Sequence, residues 1–422
     1  MSCRGLIAAV ATVAAIVSGD AGAGLAFPQG RQEPDLAAYD RGIAAAVRSD
    51  LAASVQFPDG GQVYVFGDTL AVNGQVICGP SHCPDGYPHD SIAIQRPGTA
   101  TFAMQSCAAA ACPYGWQWVP NWPDGSYFWM AAPAVEGTSL DVIGERISRP
   151  AGAVEGEYTA RFTVGAGDAL TYQGITALTG AADDSQWGSA TPDPGGRGWW
   201  LTGTRNTGGT GCVADCKTMD TAYVPLTAMT HPSAWHVQLG VLPSGEGYDL
   251  GTVVSMSHVT GRGWVAYTKR DDITGSTLER LNAWHVTGPW HVAAQQWPAK
   301  PAPGCAWTYS AETHPASPAP PGTILVSWAS NHDDPGTTCD MQPQFTDLPI
   351  GSPPPRADGS GCGPPAGGDN RFPLRPRTER IVPGVSSSER KGGAVDVRTD
   401  SRAFRRPLTP GGRRHLPRGE MP

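Results

Sequence analysis

Long apolar runs are almost missing from this 422-residue sequence. The one clear run, residues 6–17, is twelve residues long, whereas a helix that crosses a bilayer needs about 20. Patterns with the 3.6-residue period of a helix are also scarce, and only the alanine-rich residues 36–47 form a fair helix candidate. The sequence therefore predicts no membrane span and excludes a mainly helical fold.

The short motifs of several large enzyme classes are missing as well. The sequence contains no Gly-x-Ser-x-Gly elbow, no phosphate-binding loop, no His-Glu-x-x-His pair and no Cys-x-x-Cys. The repeated Ser-x-Asp-x-Gly boxes of sialidase-type propellers are also absent. These absences argue against serine hydrolases of the elbow type, nucleotide hydrolases, zinc proteases and sialidases, and we predict neither a cofactor nor a protein-bound metal.

The N-terminus has the order of a secretory signal. Arg4 supplies a positive charge, the apolar run follows it, and small residues that include Ala21, Gly22 and Ala23 come next. We therefore expect residues 1–26 to be a signal peptide and the mature protein to be secreted and extracellular. Residues 27–54 are interpreted as a leader segment that is partly helical.

The cysteines agree with an oxidising compartment. Cys3 lies in the signal, and Cys362 is left over near the C-terminus. The other eight fall into near neighbours along the chain, and pairing of neighbours is the simplest arrangement, although sequence does not fix connectivity. The predicted disulfides are Cys78–Cys83, Cys107–Cys112, Cys212–Cys216 and Cys305–Cys339.

Charge divides the chain at about residue 350. The whole sequence has a net charge of −8, residues 351–422 carry 14 Lys and Arg against 7 Asp and Glu, and the remainder is therefore at −15. The tail is rich in Arg, Pro and Gly and poor in large apolar residues, a composition that predicts disorder. A nucleic-acid arm is the alternative, but no aromatic residues are spaced for base stacking, so no nucleic-acid partner is predicted.

Composition and spacing favour an all-β fold for residues 55–350. With 54 Gly and 40 Pro, the chain consists of short apolar-polar alternations separated by turn residues. Clusters of such alternations recur every 50–70 residues, which predicts a five-bladed β-propeller with disulfide-stapled loops; two packed sheets are the competing architecture. The clusters begin near residues 62–70, 127–147, 198–223, 252–268 and 305–330.

Two acidic residues stand at the ends of predicted strands. Residues 63–69, Val-Tyr-Val-Phe-Gly-Asp-Thr, lead directly to Asp68, and residues 89–94, His-Asp-Ser-Ile-Ala-Ile, place Asp90 where another strand begins. Each acid could simply cap a turn. If both strand ends meet at one mouth of a propeller, however, Asp68 and Asp90 would suit glycoside hydrolysis, in which one carboxyl protonates the leaving oxygen and the other activates water or attacks.

The same segments carry a resemblance to a known family. Residues 65–69, 89–92 and 187–190, followed by landmarks that include Tyr309, His314-Pro315 and Asn331, resemble a group of secreted bacterial five-bladed propellers. That family is glycosidase-like in architecture, and some related members hydrolyse D-arabinan. The resemblance implies that Asp68 matches a catalytic carboxylate, with Asp90 as its partner, although many relatives carry Asn where Asp90 stands.

Four further residues are candidates for substrate binding, and each has a plainer interpretation. Trp187 could stack on a sugar ring, but most of the 14 Trp must be core. His89 adjoins Asp90, and His314 could bind substrate or be a hydrogen-bonded structural histidine. Arg205 could reach a sugar hydroxyl or form an ion pair.

These observations lead to one functional hypothesis and two alternatives. The hypothesis is hydrolysis of a furanoside-containing, arabinan-type polysaccharide by a monomeric protein, with Asp68 and Asp90 as an acid–base pair. The alternatives are a carbohydrate-binding propeller without catalysis and a surface interaction module. Whether an ion fills the axis of the propeller is left open.

Overall fold

Short strands make up nearly all of the regular structure. A computed structural model describes residues 42–351, with gaps at 44–45, 74, 77–87, 98, 100, 108–114, 150–151, 208–215, 243–249, 318 and 332–342. Within these residues, helical structure is limited to a few positions before residue 47 and to short 3-10 turns. The prediction of an all-β fold is confirmed.

The strands follow one another in the order of the chain and pair mostly with their sequence neighbours. A small sheet, in the order β1-β4-β5, and a four-stranded sheet, in the order β2-β3-β6-β7, use the first seven strands. They are β1 (Val47–Ser49), β2 (Ala53–Gln56), β3 (Gln62–Phe66), β4 (Thr69–Val72), β5 (Gln75–Val76), β6 (Ser91–Gln95) and β7 (Phe102–Met104).

Two further four-stranded sheets come next in the chain, with strand orders 8-9-10-11 and 12-13-14-15. The first contains β8 (Tyr127–Glu136), β9 (Ser139–Ile147), β10 (Val154–Val164) and β11 (Leu170–Ala177). The second contains β12 (Gln186–Pro192), β13 (Gly198–Asn206), β14 (Lys217–Pro225) and β15 (His236–Leu242).

The last seven strands form one sheet that consists of a group of four and a group of three. The groups are joined by a single parallel pair, Val254 with Ala311. The group of four contains β16 (Val254–Val259), β17 (Gly263–Lys269), β18 (Thr277–Ala283) and β19 (His291–Pro298). The group of three contains β20 (Trp307–His314), β21 (Thr323–Asn331) and β22 (Gln344–Pro349).

A closed ring is formed by the first strand of each four-stranded sheet and of each of the two groups in the last sheet. β2 contacts β8, β8 contacts β12, β12 contacts β16, β16 contacts β20, and β20 contacts β2 again. From each of these inner strands the sheet continues antiparallel, strand by strand in sequence order. This radial arrangement is that of a β-propeller.

Hydrophobic packing between neighbouring sheets explains the apolar residue pattern of the strands. On one face of β3, Val63 and Val65 pack in a cluster with Phe128 and Met130 of β8. The other face of β3 presents Tyr64 and Phe66 to a second cluster that contains Leu325 and Phe345 near the end of the chain. Because both faces are covered, β3 is buried throughout and its sequence is apolar without alternation.

Several boundaries differ from those expected from sequence. The first sheet of the ring begins at Ala53, within the predicted leader, and the third group begins at Gln186 rather than near residue 198. Residues of the predicted leader, Ile43 and Val47, are buried against Phe345 and its neighbours. Residues 1–41 and 352–422 lie outside the described residues, so the signal peptide and the disordered tail stay predictions.

The predicted disulfides fall partly outside the described residues. Cys107, Cys216 and Cys305 are disulfide-bonded cysteines. Their predicted partners lie outside the described residues, and so do both members of the pair Cys78–Cys83 and the left-over Cys362. The pairing itself stays a prediction.

Candidate active site

Three chain segments meet at one end of the strand ring. Because β3 runs antiparallel to both β2 and β6, the residues before β2, after β3 and before β6 lie at the same end of the sheet. Asp50, Asp68 and His89 occupy these three positions. The backbone amide of Asp50 donates to the carbonyl of Asp68 at 3.0 Å, and that of Gly67 donates to the carbonyl of Asp50 at 3.1 Å. The two aspartates are thus held side by side by the main chain.

Asp68 is the more accessible of the two, with 19% of its side chain exposed. Its Oδ1 lies 2.6 Å from Nδ1 of His89. The guanidinium of Arg149 contacts Nε2 on the other side of the same imidazole, and an arginine can only donate. Nε2 is therefore the acceptor, and Nδ1 carries the proton that His89 donates to Asp68.

Tyr127 fixes the orientation of this histidine. The rings of His89 and Tyr127 stack with centroids 3.5 Å apart, and the guanidinium carbon of Arg149 lies 5.2 Å from the Tyr127 ring centroid. Burial, reinforced by the positive charge of Arg149, lowers the pKa of His89 to about 3. His89 is consequently neutral at physiological pH and acts on Asp68 as a hydrogen-bond donor.

Asp50 is the residue that the structure adds to the site. Its side chain is buried, at 2% exposure, and Oδ2 accepts a 2.6 Å hydrogen bond from the hydroxyl of Tyr309. Oδ1 accepts a longer one, 3.4 Å, from Nε1 of Trp129. Asn331 in turn hydrogen-bonds the Tyr309 hydroxyl. Trp129 of β8 and Tyr309 of β20 therefore hold this carboxylate in place from two different inner strands.

Gly67 is required by the close approach of these groups. A Cβ atom at this position would lie 1.7 Å from Nε1 of Trp129 and 2.3 Å from Oδ1 of Asp50. No side chain fits there unless both groups move. The glycine between the strand and Asp68 therefore provides the space in which Trp129 and Asp50 meet.

The two carboxyl groups titrate together. Burial, followed by the charge of Asp68, raises the pKa of Asp50 well above its usual range. Burial raises the pKa of Asp68 to about 7, against the opposing effect of Arg149. Two carboxyl groups in one buried site resist simultaneous ionisation. The pair therefore retains a proton near neutral pH, and Asp68, the more exposed member beside Arg149, is the one that ionises first.

A narrow cleft continues from Asp50 towards the axis. Its walls include Leu51, Trp129, Glu145, Thr252 and Ser310. Glu145 is the direct cross-strand neighbour of Trp129, and burial raises the pKa of its carboxyl to about 7, opposed by the charge of Lys217. The cleft thus contains a further carboxyl group with raised pKa and an aromatic ring that is partly exposed.

Asp90 faces a different environment. It is fully buried, and its Oδ1 accepts hydrogen bonds from the backbone amides of Trp118 and Val119. His89 lies at a bend before β6 and contacts Asp68, whereas Asp90 contacts the 118–119 backbone. Burial raises the pKa of Asp90 to about 8, partly offset by those two amides. The structure brings Asp50, and not Asp90, to Asp68.

Arg205 and His314 lie apart from this cluster, whereas the buried Trp187 forms part of the wall of the cleft beside Asp50. Trp187 is a core residue whose Nε1 donates to the carbonyl of Ala182 at 2.7 Å. The Nε of Arg205 lies 3.1 Å from the buried carboxylate of Asp220. His314 is fully buried, with its ring nitrogens 2.8 Å from Ser54 Oγ and 2.7 Å from Ser327 Oγ.

These contacts favour the plainer interpretation in each case. The ring of Trp187 is packed edge to face against Trp235, and Arg205 is occupied by its ion pair. Burial lowers the pKa of His314 to about 3, so it is a neutral, hydrogen-bonded part of the core. Of the four predicted substrate-binding residues, only His89 joins the carboxylate cluster.

Sequence reasoning missed Asp50, Trp129 and Arg149. A usable signal for Asp50 existed, because the turn at Pro58-Asp59-Gly60 is typical of a hairpin. A hairpin there makes residues 53–56 a strand and places Asp50 at the same end of it as Asp68. Nothing in the sequence around Trp129 or Arg149 distinguishes them from other Trp and Arg residues.

Neither a metal site nor a membrane span is found in the part of the chain that the structure describes. No group of three or more His, Cys, Asp or Glu side chains is arranged to hold a metal ion there. Over the same residues, no helix is both long and apolar enough to cross a bilayer.

Comparison with known proteins gives a match in structure alone. No protein-family model and no curated protein matches the chain. Among solved structures, the chain is similar to a putative hydrolase from Bacteroides ovatus ATCC 8483, with a TM-score of 0.50 and 12% identity over 74% of this chain and 88% of that one.

Two further solved structures are more distant. The Bacteroides ovatus xyloglucan PUL protein GH43B has a TM-score of 0.43 and 8% identity over 75% of this chain, and an exo-β-1,3-galactanase from Phanerochaete chrysosporium has 0.36 and 11% over 72%. The match spans 54% and 60% of those two chains. At these identities, what the chain shares with the Bacteroides ovatus hydrolase is its fold.

Proposed function

We propose that this protein is a secreted glycoside hydrolase that acts on furanoside-containing, arabinan-type polysaccharide. The observation that carries the proposal is the pair of coupled carboxyl groups, Asp50 and Asp68, at one end of the strand ring. Glycoside hydrolysis needs one carboxyl group that holds a proton at neutral pH and one that is ionised. A buried pair that shares a proton meets this need without a cofactor.

The environment of each carboxyl suggests its role. Asp50 is the more buried member and retains the proton, so it is the general acid that protonates the leaving glycosidic oxygen. Asp68 is partly exposed, and its Oδ1 accepts a hydrogen bond from Nδ1–H of His89. Its carboxylate therefore faces the incoming water and acts as the base that takes up the water proton. After hydrolysis the proton gained by Asp68 returns through solvent to Asp50.

The surrounding residues prepare these roles. Tyr309 and Trp129 donate to Asp50, which stabilises the carboxylate that forms when the proton leaves. His89 keeps the Asp68 carboxylate oriented. Trp129 and Tyr127 are both partly exposed near the pair, and their aromatic surfaces suit the apolar face of a sugar ring.

The architecture that supports this site is proposed to be a five-bladed propeller. Five inner strands in cyclic contact correspond to five blades, with the last two blades joined by the single pair Val254–Ala311. The arabinan-type substrate rests on the resemblance of residues 65–69 and 89–92 to a family of secreted five-bladed propellers, some related members of which hydrolyse D-arabinan, and secretion rests on the predicted signal peptide.

The test is release of reducing ends from D-arabinan by the full chain. We expect Asp50→Asn and Asp68→Asn each to lower kcat by about 10²–10⁴, the usual contribution of a positioned acid or base. Asp184→Asn is the matched control, since Asp184 is an exposed carboxylate at the end of the short 3-10 turn Gly180–Asp183. Full turnover by either site variant would contradict the assignment.

A non-catalytic carbohydrate-binding protein is the alternative, favoured by the aromatic rings around the pair. The two functions separate when binding and turnover are measured on the same samples. A hydrolase in which Asp68→Asn still binds polysaccharide but no longer cleaves it supports the proposal. Wild-type protein that binds the polymer and releases no reducing ends supports the binding function.

A further inference from the structure

A cavity of about 800 Å³ opens at the end of the strand ring opposite Asp50. In each inner strand and the residues that flank it, those that line this cavity follow along the chain those that line the cleft beside Asp50. The cleft beside Asp50 is lined at the beginnings of the inner strands, by residues such as Leu51 and Thr252. The cavity is lined further along the same strands, by residues such as Phe57 and Met256. Its volume lies within the 300–1,000 Å³ range of small-molecule sites.

Side-chain hydroxyl groups from neighbouring inner strands line the inner part of this cavity. Ser189 of β12, Ser255 of β16 and Thr313 of β20 all face it. Ser255 Oγ lies 3.3 Å from Ser189 Oγ and 3.0 Å from Thr313 Oγ1. Three strands thus present a connected row of groups that can both donate and accept.

Glu312 lines the cavity next to this row. Its side chain is buried, at 2% exposure, and among the described residues no group hydrogen-bonds its Oε1 atom. Ser139, also on the cavity wall, has a hydroxyl with no partner among the described residues. Leaving a buried polar group unpaired costs about 1–3 kcal/mol. Each of the two atoms is itself buried, so a ligand with several hydroxyl groups would remove this cost once the side chain turns towards the cavity.

Three ionisable side chains line the cavity, those of Glu136, Arg161 and Glu312. Arg161 is held by the carboxylate of Asp141, with nitrogen–oxygen distances of 2.6 and 2.9 Å, so its charge is compensated. Burial raises the pKa of Glu136, and it raises the pKa of Glu312 well above its usual range against the opposing effect of a hydrogen bond with Ser255; both shifts favour the neutral carboxyl over the carboxylate. Trp199 and Val55 contribute apolar wall.

We propose that this cavity is a second saccharide-binding site, separate from the carboxylate pair and suited to a neutral mono- or oligosaccharide. Sugars combine many hydroxyl groups with apolar ring faces, and the cavity offers hydroxyl and neutral carboxyl groups on one side and apolar surface on the other. The inference goes beyond hydrolysis and does not depend on it, because none of the cavity residues belongs to the Asp50–Asp68 site.

The experiment uses the full chain carrying Asp68→Asn, so that bound oligosaccharide is not consumed. D-Arabinose, D-galactose and their trisaccharides are titrated by calorimetry, with glucosamine and glucuronate as cationic and anionic comparisons. Hydrogen exchange with and without sugar then locates the bound molecule. We expect neutral sugars to protect residues 189–192 and 312–316, which line the cavity, and to leave residues 186–188 beside the Asp50 cleft unchanged.

Two variants of the cavity make the test decisive. Glu312→Met fills similar volume and removes the carboxyl whose Oε1 has no partner among the described residues, together with its hydrogen bond to Ser255. The protein should still fold cooperatively, while affinity for neutral sugar falls about tenfold or more. Ala316→Trp, at a partly exposed turn on the cavity wall, should block entry without touching a buried strand. When Asp68 is left unchanged, each of the two cavity variants should have the same turnover as the wild-type protein.

Three results would overturn the inference. They are sugar affinity unchanged in both cavity variants, exchange protection confined to the Asp50–Asp68 end, and binding of glucosamine alone. Absence of hydrolysis by the wild-type chain would refute the proposed function but would leave the calorimetric and exchange results at the cavity intact, so the two failures are distinguishable.

Discussion

Replacing Asp68 by Asn should change the pH dependence of folding stability in a direction fixed by the structure. Burial raises the pKa of Asp68 from its ordinary value of 3.8 to about 7. The folded state therefore holds the proton more tightly than the unfolded chain between these two values. Because stability falls with rising pH wherever the folded state binds more protons, Asp68 should cost the wild-type protein stability as pH rises from about 4 to about 7.

The size of the effect follows from the same pKa difference. The pKa of Asp68 differs by about 3 between the folded and unfolded states, and each pKa unit corresponds to about 1.36 kcal/mol, so the loss of folding stability is at most about 4 kcal/mol. One fifth of the side chain is exposed, so solvent screening reduces this, and we expect about 2 kcal/mol. Asn has the same shape and no proton to lose. It also removes the charge that raises the pKa of Asp50, which acts in the same direction.

Urea unfolding of wild type and Asp68→Asn at pH 4, 6 and 8 measures this. The two proteins should have similar stability at pH 4, and the variant should be the more stable at pH 8 by about 2 kcal/mol. Asp184→Asn, at an exposed position, is the control and should run parallel to wild type. A variant that is less stable at pH 8, or a difference that is the same at all three pH values, would refute the interpretation of Asp68 as a carboxyl whose pKa is raised by burial.

Three further substitutions test other parts of the argument. Gly67→Ala should cost about 1–3 kcal/mol of folding stability by overpacking and abolish turnover, because the new Cβ displaces Trp129 and Asp50. Gly165→Ala is the control, since the nearest atom to its new Cβ is 3.4 Å away, and it should change neither property. Equal thermal unfolding of the two variants would contradict this reasoning. Asp90→Asn should keep turnover, since the amide oxygen can still accept from the 118–119 backbone, and a loss of about 10² or more in kcat would restore Asp90 as an acid–base residue. His314→Ala should lower the free energy of unfolding by about 2–4 kcal/mol with KM unchanged in steady-state assays, and a raised KM with normal stability would return His314 to substrate binding.

Local sequence was enough to find part of the site. Asp68 and His89 follow and precede strands whose apolar residues are plain in the sequence, and the two do contact each other in the fold. The all-β class also followed from short alternations and turn residues. In these cases the information lies within a few residues of the position concerned.

The missing part depends on contacts that are distant along the chain. Asp50 was assigned to a leader because residues 36–47 resemble a helix, and its burial is visible only when Tyr309 and Trp129 are in place. Asp90 was paired with Asp68 because both stand at strand ends. Only the fold shows that Asp90 is bound by the backbone amides of Trp118 and Val119, which are 28 and 29 residues further along the chain. Trp187 was selected for its neighbours in sequence, whereas its surroundings in the fold are Ala182 and Trp235.

Closure of the strand ring has a consequence for how the protein is made. Asp50 and the hydroxyl that binds it, on Tyr309, are separated by 259 residues, and Phe66 packs in one cluster with Phe345. A nascent chain that has emerged only as far as β19 already contains Asp50, Asp68, His89 and Arg149, yet it lacks the donor that holds Asp50. Such long-range contacts form late and slowly in folding. The proposed hydrolytic activity would then appear only when the final strands dock, and incompletely synthesised chains would lack it.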